Sequence, residues 1–299
     1  MFSTLLGPLP IDPVGDPDGT ATTDDHLEDV AALAATGLEL VSDGREPASP
    51  DDESAAVVLR WHAAAAAVAT PVKAVLLGPW SATRAGGTPE AAAERLAATV
   101  RALASAGCAF VEIAERDALE IATDPRAAAA FRQAHGRLID GDEGIHASLA
   151  LTGGNFDGAA SATFYDLAYA SYAFDLIAGP DNWRLVVEAP MDRGIVCGAL
   201  GLEAGANETR EVLVWAAHYA ASTNGRGTAR VGLANAPLAA GAVVPPRAEI
   251  LRRLSLVAEA SRIAGVDSSE ELAELLDRRA LDPRAMSGGR FDPARRRRR

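Results

Sequence analysis

The feature that most constrains this chain is a unit repeated along it: a short apolar run, a polar loop and an amphipathic helix. The segment VKAVLLGPWSATR, residues 72–84, shows the unit most plainly. Its first six residues are almost continuously apolar, as a strand covered on both faces of a parallel sheet must be. Gly78 and Pro79 stop the run. Gly86, Gly87, Thr88 and Pro89 start the next helix near Thr88, with Thr88 as N-cap and Pro89 in the first turn. Trp80, Ser81 and Arg84 therefore fall in a loop at the carboxyl end of a strand.

The same reading applied along the chain predicts strands at 2–9, 38–41, 72–77, 108–113, 144–151, 174–178, 195–200 and 231–234. Helices are predicted from Asp24 or Asp25 to Gly37, and at 52–69, 89–106, 124–135, 165–172, 208–222, 246–264 and 269–279. Eight strands alternating with helices specify an α/β fold, a TIM (β/α)8 barrel, more naturally than an open doubly wound sheet, which is the alternative. One domain is expected over 1–280, followed by a loose Arg-rich tail at 281–299. In such a barrel, function resides in the loops at the carboxyl ends of the strands.

Composition narrows the function classes. The 299 residues carry 28 basic and 41 acidic side chains, a formal charge of −13, and five of the basic ones are the terminal run Arg295–Arg299. A body this acidic is a poor nucleic-acid binder. The arginine run reads as a solvated end rather than a binding arm. Cys108 and Cys197 are the two cysteines, too few and too far apart for a disulfide framework or a Cys-rich zinc site. No apolar run reaches the roughly 20 residues of a membrane span, and no leader pattern opens the chain. The expectation is a soluble, cytoplasmic protein without membrane partners. Ala-rich helix faces suit burial against a second copy in a homodimer, but select no symmetry.

The strand ends, taken together, resemble the cobalamin-independent methionine synthase family in its catalytic-domain form, within the wider superfamily that includes uroporphyrinogen decarboxylase. TLLGPLP looks like the family's opening strand with Gly-Ser-Phe-Pro, and GLELVSDGRE like its Gly-Leu-Asp and Asp-Gly-Glu segment. VKAVLLGPW resembles its Lys-Gly-x-x-Thr-Gly-Pro strand, FVEIAERDAL its Gln-Ile-Asp-Glu-Pro-Ala-Leu strand, and LTGGNF the Cys-Arg-Gly-Asn-Phe segment of some members. The resemblance implies a zinc ion held by a His-x-Cys pair after strand five, a Glu after strand six and a Cys after strand eight. The pair falls on Ala150 and Thr152, or in another register on His146 and Ser148; the Glu falls near Ala178, and VGLANAPLA contains no Cys. The thiolate ligands that zinc prefers are absent, so a degenerate zinc site and no cofactor are expected. Of the family's amino-acid contacts, three fall on Pro8, Arg45 and Ala114, and only Glu115 matches.

Two readings of the remaining chemistry follow. Arg45, Arg84 and Arg116 follow neighbouring strands and can converge on a carboxylate or phosphate; equally, each can pair with Asp43, Glu46 or Asp117 and organise loops. Glu115 and Asp43 are candidate acid/base groups. Trp80, Asn155, Trp183 and Asn235 complete the candidate substrate contacts, Trp183 either as a wall for a flat ligand or buried under the rim. The loop Gly153, Gly154, Asn155 offers backbone N–H groups to an anion, or is simply a tight turn. His146 and His218 read as packed, and His26, His62 and His135 as helix-face or loop residues. Cys197 reads as a buried thiol rather than a nucleophile. The first reading is a zinc-independent enzyme on a small anionic metabolite, by one-carbon transfer or by decarboxylase or lyase chemistry. The second is a barrel without catalysis that binds a ligand or a protein partner.

Overall fold

The computed structural model describes residues 1–9, 23–139, 144–239, 241–266 and 269–276; the expected tail at 281–299 lies outside them. Seven parallel strands form one sheet: β1 (Phe2–Thr4), β2 (Ala74–Leu77), β3 (Phe110–Glu115), β4 (His146–Leu151), β5 (Ser171–Asp175), β6 (Gly194–Leu200) and β7 (Val231–Asn235). Their spatial order is β1-β7-β6-β5-β4-β3-β2. The segment expected as strand two is reduced to isolated parallel bridges, Thr4 with Leu40 and Val41 with Val72, joined by a third between Ala48 and Leu76. These bridges lie between the two edge strands of the sheet.

The sheet is curled, and its two faces are packed differently. On the outer face, Val111, Ile113, Leu149, Leu151, Tyr172 and Phe174 join one large core with the helices. The inner face carries its own small cluster of Leu6, Ala150, Ala173, Val196 and Ala234. Leu6 follows β1 and Ala150 sits on β4, with three strands between them in the sheet order, so the inner face has folded onto itself. Registers place Ala114, Ala150, Ala173, Val196 and Gly232 side by side in one inward row. Burying a Leu or Phe is worth about 1.5–3 kcal/mol, so most of the hydrophobic stabilisation comes from the outer layer.

The main helices lie close to their expected places: α1 (Thr23–Ala35), α2 (Ser54–Ala67), α4 (Pro89–Ser105) and α5 (Pro125–Leu138), then α8 (Arg210–Ser222) and α9 (Arg247–Ala264). The Thr88 hydroxyl accepts from the Ala91 N–H at the start of α4, and Asp124 caps α5 through the Arg126 N–H. Short helices α3 (Pro79–Ala82), α6 (Ala162–Tyr165), α7 (Trp183–Glu188) and α10 (Ser269–Leu275) complete the described elements.

Two further expectations are corrected. The helix expected at 165–172 stops at Tyr165, and Ser171 already begins β5. Tyr165, Tyr169 and Tyr172 have helical spacing, but Tyr172 faces the outer core and its hydroxyl donates to the Phe164 and Leu167 carbonyls. The loop expected after 78 opens with the single helical turn α3, for a reason that emerges from the site below. If the inner face is closed on itself, Ala234→Leu overpacks it and lowers stability by about 1–3 kcal/mol. Urea unfolding checks this; an unchanged or raised midpoint would mean the inner face is open.

Candidate functional site

All nine expected site residues lie at or just beyond the carboxyl ends of the strands, but most are committed to other protein groups. Glu115 is the last residue of β3 and pairs with Leu151 on the outward side of the sheet. It is fully buried. Its carboxylate accepts from the Trp80 N–H (2.9 Å), the Ser81 N–H (2.8 Å) and the Ser81 hydroxyl (2.6 Å), and His135 Nε2 lies 2.9 Å away. With Nε2–H donating to the carboxylate, Nδ1 accepts from the Tyr169 hydroxyl at 2.7 Å. Burial, then Glu115, pushes that hydroxyl well above its usual range, so it stays a donor. Glu115 thus satisfies the free N–H groups of α3 from a neighbouring strand, which is why a helical turn forms there. Gly78 is required for the same reason: a Cβ there would collide with the Glu115 carboxyl.

The arginines divide. Arg116 pairs with Glu46 at 2.6 Å. Arg84 donates to the Asp117 carbonyl at 3.1 Å and lies 3.4 Å from Glu120. Both pairs are exposed, where such contacts contribute little to stability. Trp80 donates its indole N–H to Glu120 and packs its ring near Phe131. Asp43 is buried and ion-paired with Arg60 of α2 at 2.6 Å, and its other oxygen accepts from the Arg45 N–H. Asn155 accepts from the Asp181 N–H. Asn235 is fully buried, accepts from the Leu6 N–H and donates to the Leu6 and Ala236 carbonyls, tying β7 to the end of β1. Trp183 meets Trp215 and Tyr219 of α8 edge-on, at 5.7 and 5.1 Å between ring centroids, away from the strand ends of β2 and β3. Neither of the two cavities described, of about 310 and 360 Å³, is lined by any of the nine.

Trp183 Nε1 is buried without a partner among the described residues, and Arg45 also stands apart. Its side chain makes no hydrogen bond or ion pair among the described residues, and it acts electrostatically on His26, in the first turn of α1. His26 is 6% exposed, and both of its ring nitrogens lack a partner among the described residues. Burial, then the Arg45 guanidinium, holds the imidazole below its ordinary value, while Asp43 and Asp29 push the other way. The result is a neutral, desolvated base in the field of a cation that has no partner among the described residues. A second group missed by the sequence reading is Asp175, at the carboxyl end of β5 and on the inward face with Ala173. It accepts from the N–H groups of Gly153, Ile177 and Ala178, yet burial raises its carboxyl above the usual range, with Glu203 adding to the rise. Asp175 was detectable as the carboxylate closing the run SYAFD; His26 gave no local signal.

No family model and no curated protein matches the chain by sequence. Solved structures do match in fold. A Listeria monocytogenes protein described as a vitamin-B12-independent methionine synthase aligns with TM-score 0.63 and 12% identity, over 88% of this chain and 97% of that one. A B12-independent methionine synthase from Shewanella sp. W3-18-1, in complex with selenomethionine, aligns with TM-score 0.62 and 12% identity, over 91% and 99%. A methyltransferase from Methanosarcina mazei gives TM-score 0.57 at 12% identity, over 87% and 93%. The chain has the fold of these TIM-barrel-like proteins. At this identity, the chemistry has to be argued from the residues.

If Glu115 positions α3 rather than exchanging protons with a substrate, Glu115→Ala leaves four buried donors unpaired. It should cost about 2–4 kcal/mol in urea unfolding, with Glu115→Gln costing less. A Glu115→Ala protein of unchanged stability would return Glu115 to the candidate acid/base groups.

Proposed function

We propose that this protein is a divergent TIM barrel of the methionine-synthase-like group, in which Leu40 and Val41 stand where the eighth strand closes the barrel. It works without zinc on a small anionic metabolite. Arg45 anchors the substrate's carboxylate or phosphate, and His26 serves as the acid/base. The observation that carries this reading is the buried His26 imidazole, whose two nitrogens have no partner among the described residues, in the field of the Arg45 guanidinium, which likewise has none among them. A neutral His with a lowered pKa can take a proton near neutral pH, and an arginine fork orients a carboxylate or phosphate. Proton abstraction in a lyase or decarboxylase reaction suits this pair better than methyl transfer to a thiol.

The donor set does not fit the family's zinc. Ala150 and Thr152 supply no thiolate or imidazole, and His146 sits at the opposite, amino end of β4, bonded to Ser171. Cys197 is fully buried, with its thiol pushed up to about 12, and Cys108 donates to the Phe110 carbonyl. Among the described residues, no group of three or more His, Cys, Asp or Glu is placed to hold a metal ion.

The second reading, a barrel that binds without catalysis, is favoured by one specific observation: Glu115, Arg84, Arg116, Asp43 and Asn235 are all engaged with other protein groups. No described helix is long and apolar enough to cross a membrane. If the protein is a homodimer, Trp215 and Tyr219, stacked at 5.3 Å and each 37% exposed, offer an apolar face to bury.

Thermal-shift measurements with a panel of carboxylates and phosphate monoesters test the anchor. At least one anion should raise the melting temperature of the native protein and fail to do so for Arg45→Ala. His26→Asn should keep that binding but lose turnover; binding without turnover in the native protein would select the non-catalytic reading. The zinc-to-protein ratio, measured after purification without chelators or a metal-affinity tag, should be near zero. A ratio near one would restore zinc-activated thiol methylation.

A further inference from the structure

The inward face of the sheet is polar at the amino end of the strands, where a barrel is ordinarily packed for stability. Registers place Glu112, Ser148 and Ser171 side by side in one inward row, one step below the row of Ala114, Ala150 and Ala173. Lys73, just before β2, reaches into the same level. Its ammonium pairs with Glu112 Oε2 at 2.5 Å and also donates to the Leu5 carbonyl. Lys73 and Glu112 are 3% and 2% exposed, so this is a buried ion pair. Pairs of this kind are tolerated only when their remaining hydrogen-bonding capacity is met. It is not met here: Glu112 Oε1 is buried with no partner among the described residues.

These groups line a cavity of about 360 Å³, within the range of roughly 300–1,000 Å³ of small-molecule pockets. The cavity lies at the amino end, below the level where Leu6, Ala150, Ala173, Val196 and Ala234 close the inner face. Phe2, Leu40, Phe110 and Val196 supply apolar walls, and the exposed residues Glu39 and Ala229 bring the cavity to the surface. The charges are unbalanced. Lys73 and Glu112 cancel, His146 is kept neutral by burial and bonds Ser171 at 2.8 Å, and the Glu39 carboxylate on the rim meets, among the described residues, the Ser3 and Ser261 hydroxyls at 3.3 Å. Glu39 thus leaves one net negative charge at the rim, and Glu112 Oε1 has no donor among the described residues.

We propose that this cavity is a second ligand site, which takes a small organic ammonium: an apolar body of ring size, with its protonated amine donating to Glu112 Oε1. The site lies at the opposite end of the strands from His26 and Arg45 and does not depend on what happens there.

The probe is benzylammonium, compared with benzyl alcohol, which has a similar shape but no charge. Each is titrated calorimetrically into the full-length protein. Benzylammonium should bind saturably, one per chain, and benzyl alcohol at least about tenfold more weakly. Ala229→Trp, at an exposed rim position, should block entry and abolish binding while the protein stays folded. Glu112→Gln should remove the preference for the amine; if that variant does not fold, the alcohol comparison and Ala229→Trp decide. Arg45→Ala should bind benzylammonium as the native protein does, so this site and the carboxyl-end site can fail separately. No saturable binding at millimolar concentration, equal affinity for amine and alcohol, or binding that survives Ala229→Trp would each overturn the proposal.

Discussion

The fold depends on a parallel sheet that must be covered on both faces. Backbone N–H and C=O groups of each strand are paired with its neighbours, and neither face can be left to water when the runs that form it are apolar throughout. The outer face meets that demand with large side chains against the helices. The inner face meets it by curling until Leu6, Ala150, Ala173, Val196 and Ala234 touch. Small residues make the tight curl possible.

Buried charge is the second theme. Asp43, Glu112, Glu115 and Asp175 are all buried, and a buried carboxylate must find donors or stay protonated. Each does so differently. Glu115 collects two backbone N–H groups, a hydroxyl and an imidazole, and builds the α3 turn. Asp43 takes Arg60. Asp175 gathers three backbone N–H groups, and burial still raises its pKa. Glu112 takes Lys73 on one oxygen only. Two charged groups with no full set of partners among the described residues, Glu112 and Arg45, lie at opposite ends of the strands. The two proposed sites therefore rest on separate residues.

The likeness in fold to B12-independent methionine synthases spans nearly the whole chain at 12% identity, so it speaks for the layers of the fold and not for the loops. In barrel folds the stability of the layers and the chemistry of the loops are set by different residues. A change of loop residues would leave Leu76, Ile113, Phe174 and the rest of the outer core untouched.

Much of the architecture was legible in the sequence because it rests on local signals. Apolar runs bounded by Gly and Pro located most strands to within a few residues, and Thr88 with Pro89 and Asp124 with Pro125 fixed two helix starts. The segments at 38–41 and 165–172 were legible only in part: one makes isolated bridges rather than a strand, and in the other, tyrosine spacing imitated a helix. The site was much less legible. A strand buried on both faces shows no alternation, and a step of one residue exchanges the faces; nothing in FVEIAE says that Glu112 points inward and Glu115 outward. Pairings such as Lys73 with Glu112, or His26 beside Arg45, join segments that the sequence does not relate. The sequence by itself determined the order and kind of the elements, because these follow from neighbouring residues. Which charges are spent and which are free was decided only by the tertiary structure, because that depends on what the curled sheet brings within a few ångströms.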